Sequence, residues 1–503
     1  MNFLKTLLLG LLLSGAASAT PPNIVVFLVD DMGVMDTSLP FLTDASSNPR
    51  RYPLNDYFRT PNMERLAARG IRFNQFNAMS LCSPSRISLL TGKNAARHRT
   101  TIWINPTTDN RGPHGPPDWN WEGLGKEDVT LPRLLQTAGY RTIHVGKAHL
   151  GSTESEGADP RNLGFDVNIA GGPIGHPASY YGTMDFGAKA KKPDNAVKGL
   201  QKYHGQDIFL TEALTLEANA QVGQAVEARK PFFLHLAHYA VHTPFETDPR
   251  FAARYKDSGK SRQVQAFATL VEGMDKSLGD LMDHLEKLGV AENTLIFFMG
   301  DNGSDSPLGG AHDVGSAAPL RGKKGSHYEG GMRVPFIAAW AEPSAANENQ
   351  RKLPVKQGAV QAHPAAIHDV FPTLAGLAGA AIPPSHGMDG RKLDALLAGG
   401  ADETHPGSFL MHFPHSPHRS NYFTTYREGD WKVAYHYFPS PETGGSHYQL
   451  FNLKQDPFEQ KDLATTEPET LKRMMSRLAG ALVKENALYP VGDAGTPLKP
   501  VIP

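Results

Sequence analysis

Two acid-bearing strings carry the first chemistry legible in this chain. "NIVVFLVDDMG" ends an apolar run in Asp30 and Asp31, and "TLIFFMGDNG" ends another in Asp301 and Asn302. Adjacent like charges at the end of a buried strand repel unless a cation lies between them. The four side chains offer oxygen, and neither sulfur nor imidazole, which suits Ca2+ or Mg2+ rather than Zn2+. Either pair alone is a weak signal, because Asp-Asn-Gly is also a common turn tripeptide. Two pairs, each closing an apolar strand, favour a metal. Asn302-Gly303-Ser304 also matches a glycosylation sequon, but an asparagine held on a metal would not be free to carry a sugar.

"SLCSPSRISLLTG" holds the only cysteine of the chain. One cysteine cannot close a disulfide within the chain. Cys82 is therefore a buried inert thiol, a link between chains or a chemically special group, and composition alone favours the first. Ser83 fits a helix cap and Pro84 a first turn, so the string predicts a helix N-terminus, where free N–H groups favour an anion. Arg86, one turn in, adds a fixed fork of donors, and a thiol here would be activated. A capped helix with a packed cysteine accounts for the same string equally well. "GKAHLG" sets Lys147 and His149 two positions apart, on one face if the strand continues. "HTPF" carries His242, and "LRGKKGSHYEGG" carries Lys323 and Lys324 in a glycine-rich loop. Singly these read as solvated charges or satisfied histidines. Together with an oxygen-ligated metal, they suit a tetrahedral oxyanion ester.

These groups need elements to position them. Asn23 to Gly33 has the Val/Ile/Phe content of a strand buried on both faces. "TPNMERLAARG" predicts a helix with Thr60 as cap, Pro61 in the first turn and Gly70 at the stop. "IRFNQFNA" alternates as a strand leading to Cys82. "LPRLLQTAGY" with "RTIHVGKAHLG" repeats the order helix, glycine, strand, and "KPFFLHLAHYAVHTPF" is another strand-to-loop passage. Val264, Phe267, Leu270, Val271, Met274, Leu278, Leu281 and Leu285 recur at helical spacing. Alternating strands and helices predict an α/β fold, a mostly parallel central sheet flanked by helices. Ligands of such sheets gather at the carboxyl ends of the strands, where Asp30, Asp31, Lys147, His149, His242, Asp301 and Asn302 would share one edge. Near residue 385 "IPPSHGMDGRKL" reads as a linker. "YFTTYREGDWKVAYHYF" and "HYQLFNL" after it predict a smaller α+β subdomain with an antiparallel sheet.

The chain of 503 residues is long enough for a large core with an appended unit. Lys+Arg 50 against Asp+Glu 51 leaves a net charge of -1, which gives no reason to expect a nucleic-acid partner. "MNFLKTLLLGLLLSGAASAT" has one lysine, a leucine-rich run and Ala17-Ser18-Ala19. The run is shorter than the ~20 residues that span a bilayer, so residues 1–19 read as a removable signal peptide and the protein as exported, periplasmic or secreted, without a membrane anchor. Residues 20–384 then form the catalytic α/β part and residues 385–503 the subdomain.

Cys82-Ser83-Pro84-Ser85-Arg86 with Thr91-Gly92 behind it resembles the signature of the type I sulfatases. "VVFLVDDMG", "GKAHLG", "HTPF", "GDNGSD" and "LRGKKGSHYEGGMRVPF" resemble that family's other blocks in the family's order, over residues 22 to 340, with fainter likeness in "HDVFPTLAGLAG" and "REGDWKVAYHYF". The resemblance implies an alkaline-phosphatase-like core with a small C-terminal sheet. It implies that a maturation enzyme oxidises Cys82 to formylglycine, an aldehyde hydrated to a geminal diol. A thiol attacking sulfur would leave a thiosulfate with no easy exit. A diol attacks with one oxygen and releases sulfate with the other. By matched position, Asp30, Asp31, Asp301 and Asn302 would hold one Ca2+, with Mg2+ the alternative ion, and Arg86 would orient the diol. Lys147 and Lys324 would bind sulfate oxygens, His242 would protonate the leaving alcohol, and His149 would take the second hydroxyl's proton. Lys324 rather than Lys323 is chosen by counting back from "YEGG". Ala148 stands where the family usually has an aromatic.

The resemblance implies an exported sulfatase, and a sulfated carbohydrate is the expected substrate. A broad arylsulfatase or a phosphoester hydrolase on the same fold is the alternative, although ligands for only one metal favour sulfate. A non-catalytic sulfoglycan-binding protein with an unconverted Cys82 is the alternative of another class. Trp119 and Trp121, in a Pro/Gly-rich loop, read as sugar platforms or as buried residues. "MHFPHSPHRSNY", with His412, His415, His418 and Arg419, reads as a substrate-facing loop or a solvated one, with too few other ligands for zinc.

Overall fold

A computed structural model describes residues 20–44, 46–416 and 418–503. The leader read at residues 1–19 lies outside them. Among the described residues no helix is long and apolar enough to cross a membrane.

Among the described residues the strands are β1 (Asn23–Val29), β2 (Gly70–Phe73), β3 (Phe76–Asn77), β4 (Arg141–Gly146), β5 (Val167–Ile169), β6 (Phe232–His238), β7 (Thr294–Gly300), β8 (Phe336–Trp340), β9 (Ala359–Gln361), β10 (Ala365–Ala366), β11 (Ser408–Phe413), β12 (Phe423–Glu428), β13 (Trp431–His436) and β14 (Tyr448–Asn452). The helices that matter here are α1 (Pro61–Arg69), α2 (Cys82–Thr91), α3 (Leu131–Thr137), α4 (Leu210–Glu227), α5 (Arg262–Lys287), α6 (Val370–Leu377) and α7 (Pro468–Lys484). Eight strands form one sheet in the order β5-β4-β6-β1-β7-β8-β2-β9. Only β8 runs antiparallel to its neighbours.

The alternation of β1 shows why the sheet is covered on both faces. Val25, Phe27 and Val29 join one apolar cluster, with α1, α4 and α5 packed over it. Ile24, Val26 and Leu28 join the opposite cluster, beneath α2, α3 and α6. Burying each such side chain contributes about 1.5–3 kcal/mol, so a strand apolar from Ile24 to Val29 belongs at the centre of such a sandwich. The linker region keeps contact with this layer, because Leu393, Leu396 and Leu397 are buried in the second cluster.

The C-terminal sheet is antiparallel, in the order β11-β12-β13-β14. Gly429 and Asp430 make a two-residue turn between Glu428 and Trp431, which pair. One face packs on α7 through Leu471, Met474, Met475, Leu478 and Leu482. The other presents Phe409, Met411 and Phe413 to Met79 and Leu81, beside Cys82. A buried ionic group ties this sheet to the main layer. Lys432 Nζ lies 3.1 Å from Glu329 Oε1 and 2.7 Å from Glu459 Oε1, while Arg333 pairs with Glu329 at 2.5 Å.

Several local expectations are corrected. Thr60 sits at the start of α1, but its hydroxyl caps no helix N–H; it bonds Thr37 and Ser38 instead. "IRFNQFNA" is two strands, because the chain leaves the main sheet after Phe73 to pair β3 with β10. Ser83 is not the cap of α2. Leu81 holds that position, and the Ser83 hydroxyl accepts from the Ile104 N–H. Strand β4 stops at Gly146, so Lys147 and His149 lie past its end rather than on one strand face. "MHF" of the expected loop belongs to β11.

Removing one member of a buried ion cluster strands its partners. Lys432→Met is expected to lower the unfolding free energy by about 3–5 kcal/mol, read as earlier unfolding in urea. A loss under about 1 kcal/mol, the range of exposed pairs, would contradict this reading.

Candidate functional site

Parallel pairing gathers the chemistry at one sheet edge. Val29 of β1 pairs with Gly300 of β7 and with His238 of β6, and Gly146 of β4 pairs with Ala237 of β6. The residues that follow, Asp30-Asp31, Asp301-Asn302, Lys147 and Tyr239 to His242, therefore emerge side by side. Asp31 takes a left-handed backbone, φ 60°, which aspartate tolerates better than most residues. It also donates its N–H to Asp301 Oδ1 at 3.0 Å.

Arg86 reaches this edge from the first turns of α2. Its Nε donates to Asp301 Oδ2 at 2.8 Å and its Nη1 to the Lys147 carbonyl at 2.7 Å. Lys147 Nζ bonds Asp30 Oδ2 at 2.7 Å, and Lys324 Nζ lies 2.6 Å from Asp31 Oδ1. Lys323 turns away, to Asp305 and the Ser306 carbonyl. Three carboxylates thus face three cations, all buried.

Three oxygens in this buried group accept no hydrogen bond: Asp30 Oδ1, Asp31 Oδ2 and Asn302 Oδ1. Buried polar atoms are normally satisfied. Asp30, Asp31 and Asp301 can each bring an oxygen within 4.8 Å of the others'. The residues present therefore fit a hard divalent cation, which would satisfy the orphans and leave the site net positive. Among the described residues this is the only His/Cys/Asp/Glu group with such geometry, so the histidines of the 412–419 segment form no zinc cluster. Burial holds Asp30 well above the ordinary carboxylate range, against Lys147, with Asp301 and Asp31 adding to it. Burial also opposes ionisation of Asp31, but His242 and Lys324 outweigh it and hold that group low.

Cys82 Sγ lies 3.4 Å from His149 Nδ1. His149 Nε2 lies 2.6 Å from the Ile104 carbonyl. A carbonyl only accepts, so Nε2 carries the proton and Nδ1 presents its lone pair to residue 82. Burial, with Lys147 second, pushes His149 well below its ordinary value. His242 donates Nδ1–H to the Thr243 carbonyl at 2.9 Å and turns Nε2 toward Asp31 Oδ2 at 3.5 Å. The activated thiol expected from the helix N-terminus is not what the structure holds. Burial pushes the Cys82 thiol up, and Lys147 and Lys324 only partly offset it, with Asp30 and Asp301 adding to the rise. A neutral, enclosed thiol is a poor nucleophile.

A cleft of about 1130 Å³ opens above these groups, and Cys82, His149, His242 and Lys324 line it. Its walls were only partly legible beforehand. Trp119 is buried, donating to Asp109, and Trp121 donates to the Asn105 carbonyl; neither lines the cleft, whereas Trp103 does. His412 bonds Thr424 and the Leu488 carbonyl, and His415 bonds Thr101 and the Arg111 carbonyl, so both are structural. His418 and Arg419 do reach the cleft. His176 and Asn195, also in its wall, went unremarked; the only signal was that "GGPIGHP" follows a strand at the same sheet edge.

The matched carboxylates give a metal prediction. Asp301→Asn is expected to weaken Ca2+ binding by more than about tenfold, the lower bound for disturbing even a ligand's support. Titration calorimetry checks it, and unchanged affinity would place the ion elsewhere.

Comparison with known proteins adds an independent line. The family model described as Sulfatase matches residues 22–380. N-acetylgalactosamine-6-sulfatase of Canis lupus familiaris is 29% identical over 487 residues, covering 91% of this chain and 85% of that protein. Arylsulfatase A of Homo sapiens is 30% identical over 515 residues, covering 93% and 89%. Among solved structures, that of Ps i-CgsB superposes with a TM-score of 0.70 at 26% identity, covering 92% of this chain and 93% of that one.

Proposed function

We propose, from the premise that this chain belongs to the sulfatase family and is a sulfuric ester hydrolase, that it removes sulfate from a carbohydrate ester with residue 82, matured to formylglycine, as nucleophile. The observation that carries this reading is the enclosed thiol. Residue 82 sits beside a lone-pair nitrogen and two lysines, yet burial keeps its thiol protonated. That position suits a group whose reactivity does not depend on thiolate formation.

Formylglycine supplies a hydrated aldehyde, in which one oxygen attacks sulfur and the other expels sulfate. A Ca2+ held by Asp30, Asp31, Asp301 and Asn302, or Mg2+ in its place, supplies Lewis-acid polarisation. Arg86, whose Nη2 makes no hydrogen bond and lies 3.6 Å from Asp30 Oδ1, orients residue 82. Lys147 and Lys324 neutralise Asp30 and Asp31; were a cation to take up those charges, both ammonium groups would be available to bind sulfate oxygens as charge develops. His149 Nδ1 accepts the proton of the releasing hydroxyl. His242 Nε2 protonates the leaving alcohol. To do so it must carry a second proton, which burial opposes strongly enough to hold the ring well below its ordinary value and which Asp31 only partly restores.

The carbohydrate is supported by the cleft, far larger than a sulfate group, and by relatives. Ps i-CgsB has been crystallised with k-i-k-neocarrahexaose, and N-acetylgalactosamine-6-sulfatase is named for a sugar ester. The leader string supports export to the periplasm or beyond. Maturation requires a formylglycine-generating enzyme as partner.

The mass of the peptide carrying residue 82 is expected to show conversion in active protein, and a uniformly free thiol in active material would refute the mechanism. Cys82→Ala is expected to abolish turnover with the fold intact, and retained turnover would move the nucleophile elsewhere. His242→Ala is expected to cost about 10²–10⁴ in rate on sugar sulfates and less on aryl sulfates, whose leaving groups need little protonation. Equal losses would contradict the acid role. Faster turnover of a matched phosphate ester would favour a phosphoester hydrolase instead.

A further inference from the structure

One short stretch touches both histidines read here as proton carriers. Residues 172–176 follow β5 along the cleft wall. The Gly172 carbonyl accepts the His149 N–H at 2.9 Å. Gly175 lies so close to the His149 ring that a methyl group there would come within 2.9 Å of Cε1. The next residue, His176, stacks on His242, with ring centroids 5.4 Å apart and planes 7° from parallel.

His176 has no nitrogen left for chemistry. Its Nδ1 lies 3.0 Å from the Pro177 carbonyl and so carries the proton, and its Nε2 accepts from Asn195 Nδ2 at 2.8 Å. Both ring positions are spent, and the imidazole plane is fixed. What the ring offers the site is its face, and His242 covers it. His242 itself has one ring hydrogen bond, to its neighbour Thr243, and a longer contact of 3.5 Å from Nε2 to Asp31 Oδ2, so the stacked ring of His176 adds a constraint that these edge contacts do not supply on the ring's face. On the other side, a side chain at residue 175 would push the His149 ring off its line to residue 82.

We infer that residues 172–176 form a positioning strap, which fixes the His149 ring through Gly175 and the His242 ring through His176. The strap touches no reacting atom; it acts through the two imidazoles. This rests on the proton-carrier roles proposed above. It goes beyond them in assigning the two halves of the cycle, alcohol departure and sulfate release, to one contiguous backbone segment.

The two contacts predict opposite kinetic signatures. Alcohol departure precedes sulfate release, so loss of the His242 contact falls on kcat/KM and loss of the His149 contact on kcat alone. His176→Ala is expected to lower kcat/KM on a sugar sulfate by about tenfold, the size of an aromatic contact combined with a small misplacement. On an activated aryl sulfate the same variant is expected to lose much less. His176→Phe, which keeps a flat ring and gives up the hydrogen bonds, is expected to recover most of the loss. Gly175→Ala is expected to lower kcat on the aryl sulfate, where release limits turnover, and to leave kcat/KM unchanged. Equal losses of His176→Ala on both substrates, no recovery by His176→Phe, or a parallel fall of kcat and kcat/KM in Gly175→Ala would overturn the strap. His242→Ala measured beside them separates the two failures. If it shows no dependence on the leaving group, the acid role itself is wrong; if it does and His176→Ala does not, only the strap is.

Discussion

Three carboxylates buried side by side at the ends of two neighbouring strands cannot all stay ionised without positive charge among them. That constraint organises the rest of the molecule. Arg86 is delivered by α2, Lys147 by the end of β4 and Lys324 by the loop between β7 and β8, and each lands on one of the acids. Three oxygens nevertheless remain unsatisfied, so protein cations balance the charge without completing the donor set. A divalent ion, as proposed, would do both. It would also change what the lysines are for, because an ammonium no longer needed by a carboxylate would be free to meet a sulfate oxygen.

The same edge explains why residue 82 is enclosed. The two-stranded ladder of β3 and β10 carries the chain out of the main sheet and into α2, beneath Phe409 and Met411 of the C-terminal sheet. Burial there suppresses the thiol, while His149 presents a lone pair to it. A base facing a residue that cannot itself ionise readily makes sense if that residue is chemically altered before use.

Much of this was legible in the chain because it depends on short, strong patterns. The unbroken apolar runs of β1 and β7 reported a sheet covered on both faces, and the acids closing them reported the edge where chemistry collects. The alternation around Glu428 and Trp431 reported the antiparallel sheet. Features set by contacts distant in sequence were hidden. Ser83 has the composition of a cap, but its hydroxyl is claimed by Ile104. His412 and His415 looked like loop histidines, but Thr424 and Thr101 hold them inside. Trp103 carries no local pattern and His176 only its place after a strand; their position in the cleft wall follows from which strands are neighbours, and strand order is not written in any window of residues.

The most direct measurement is a crystal structure of the mature protein grown with Ca2+ and a non-hydrolysable sulfate ester. The account predicts one ion held among Asp30, Asp31, Asp301 and Asn302, with Lys147 and Lys324 turned onto the sulfate. A structure with both lysines still on their aspartates, and ion and ester bound elsewhere, would contradict it.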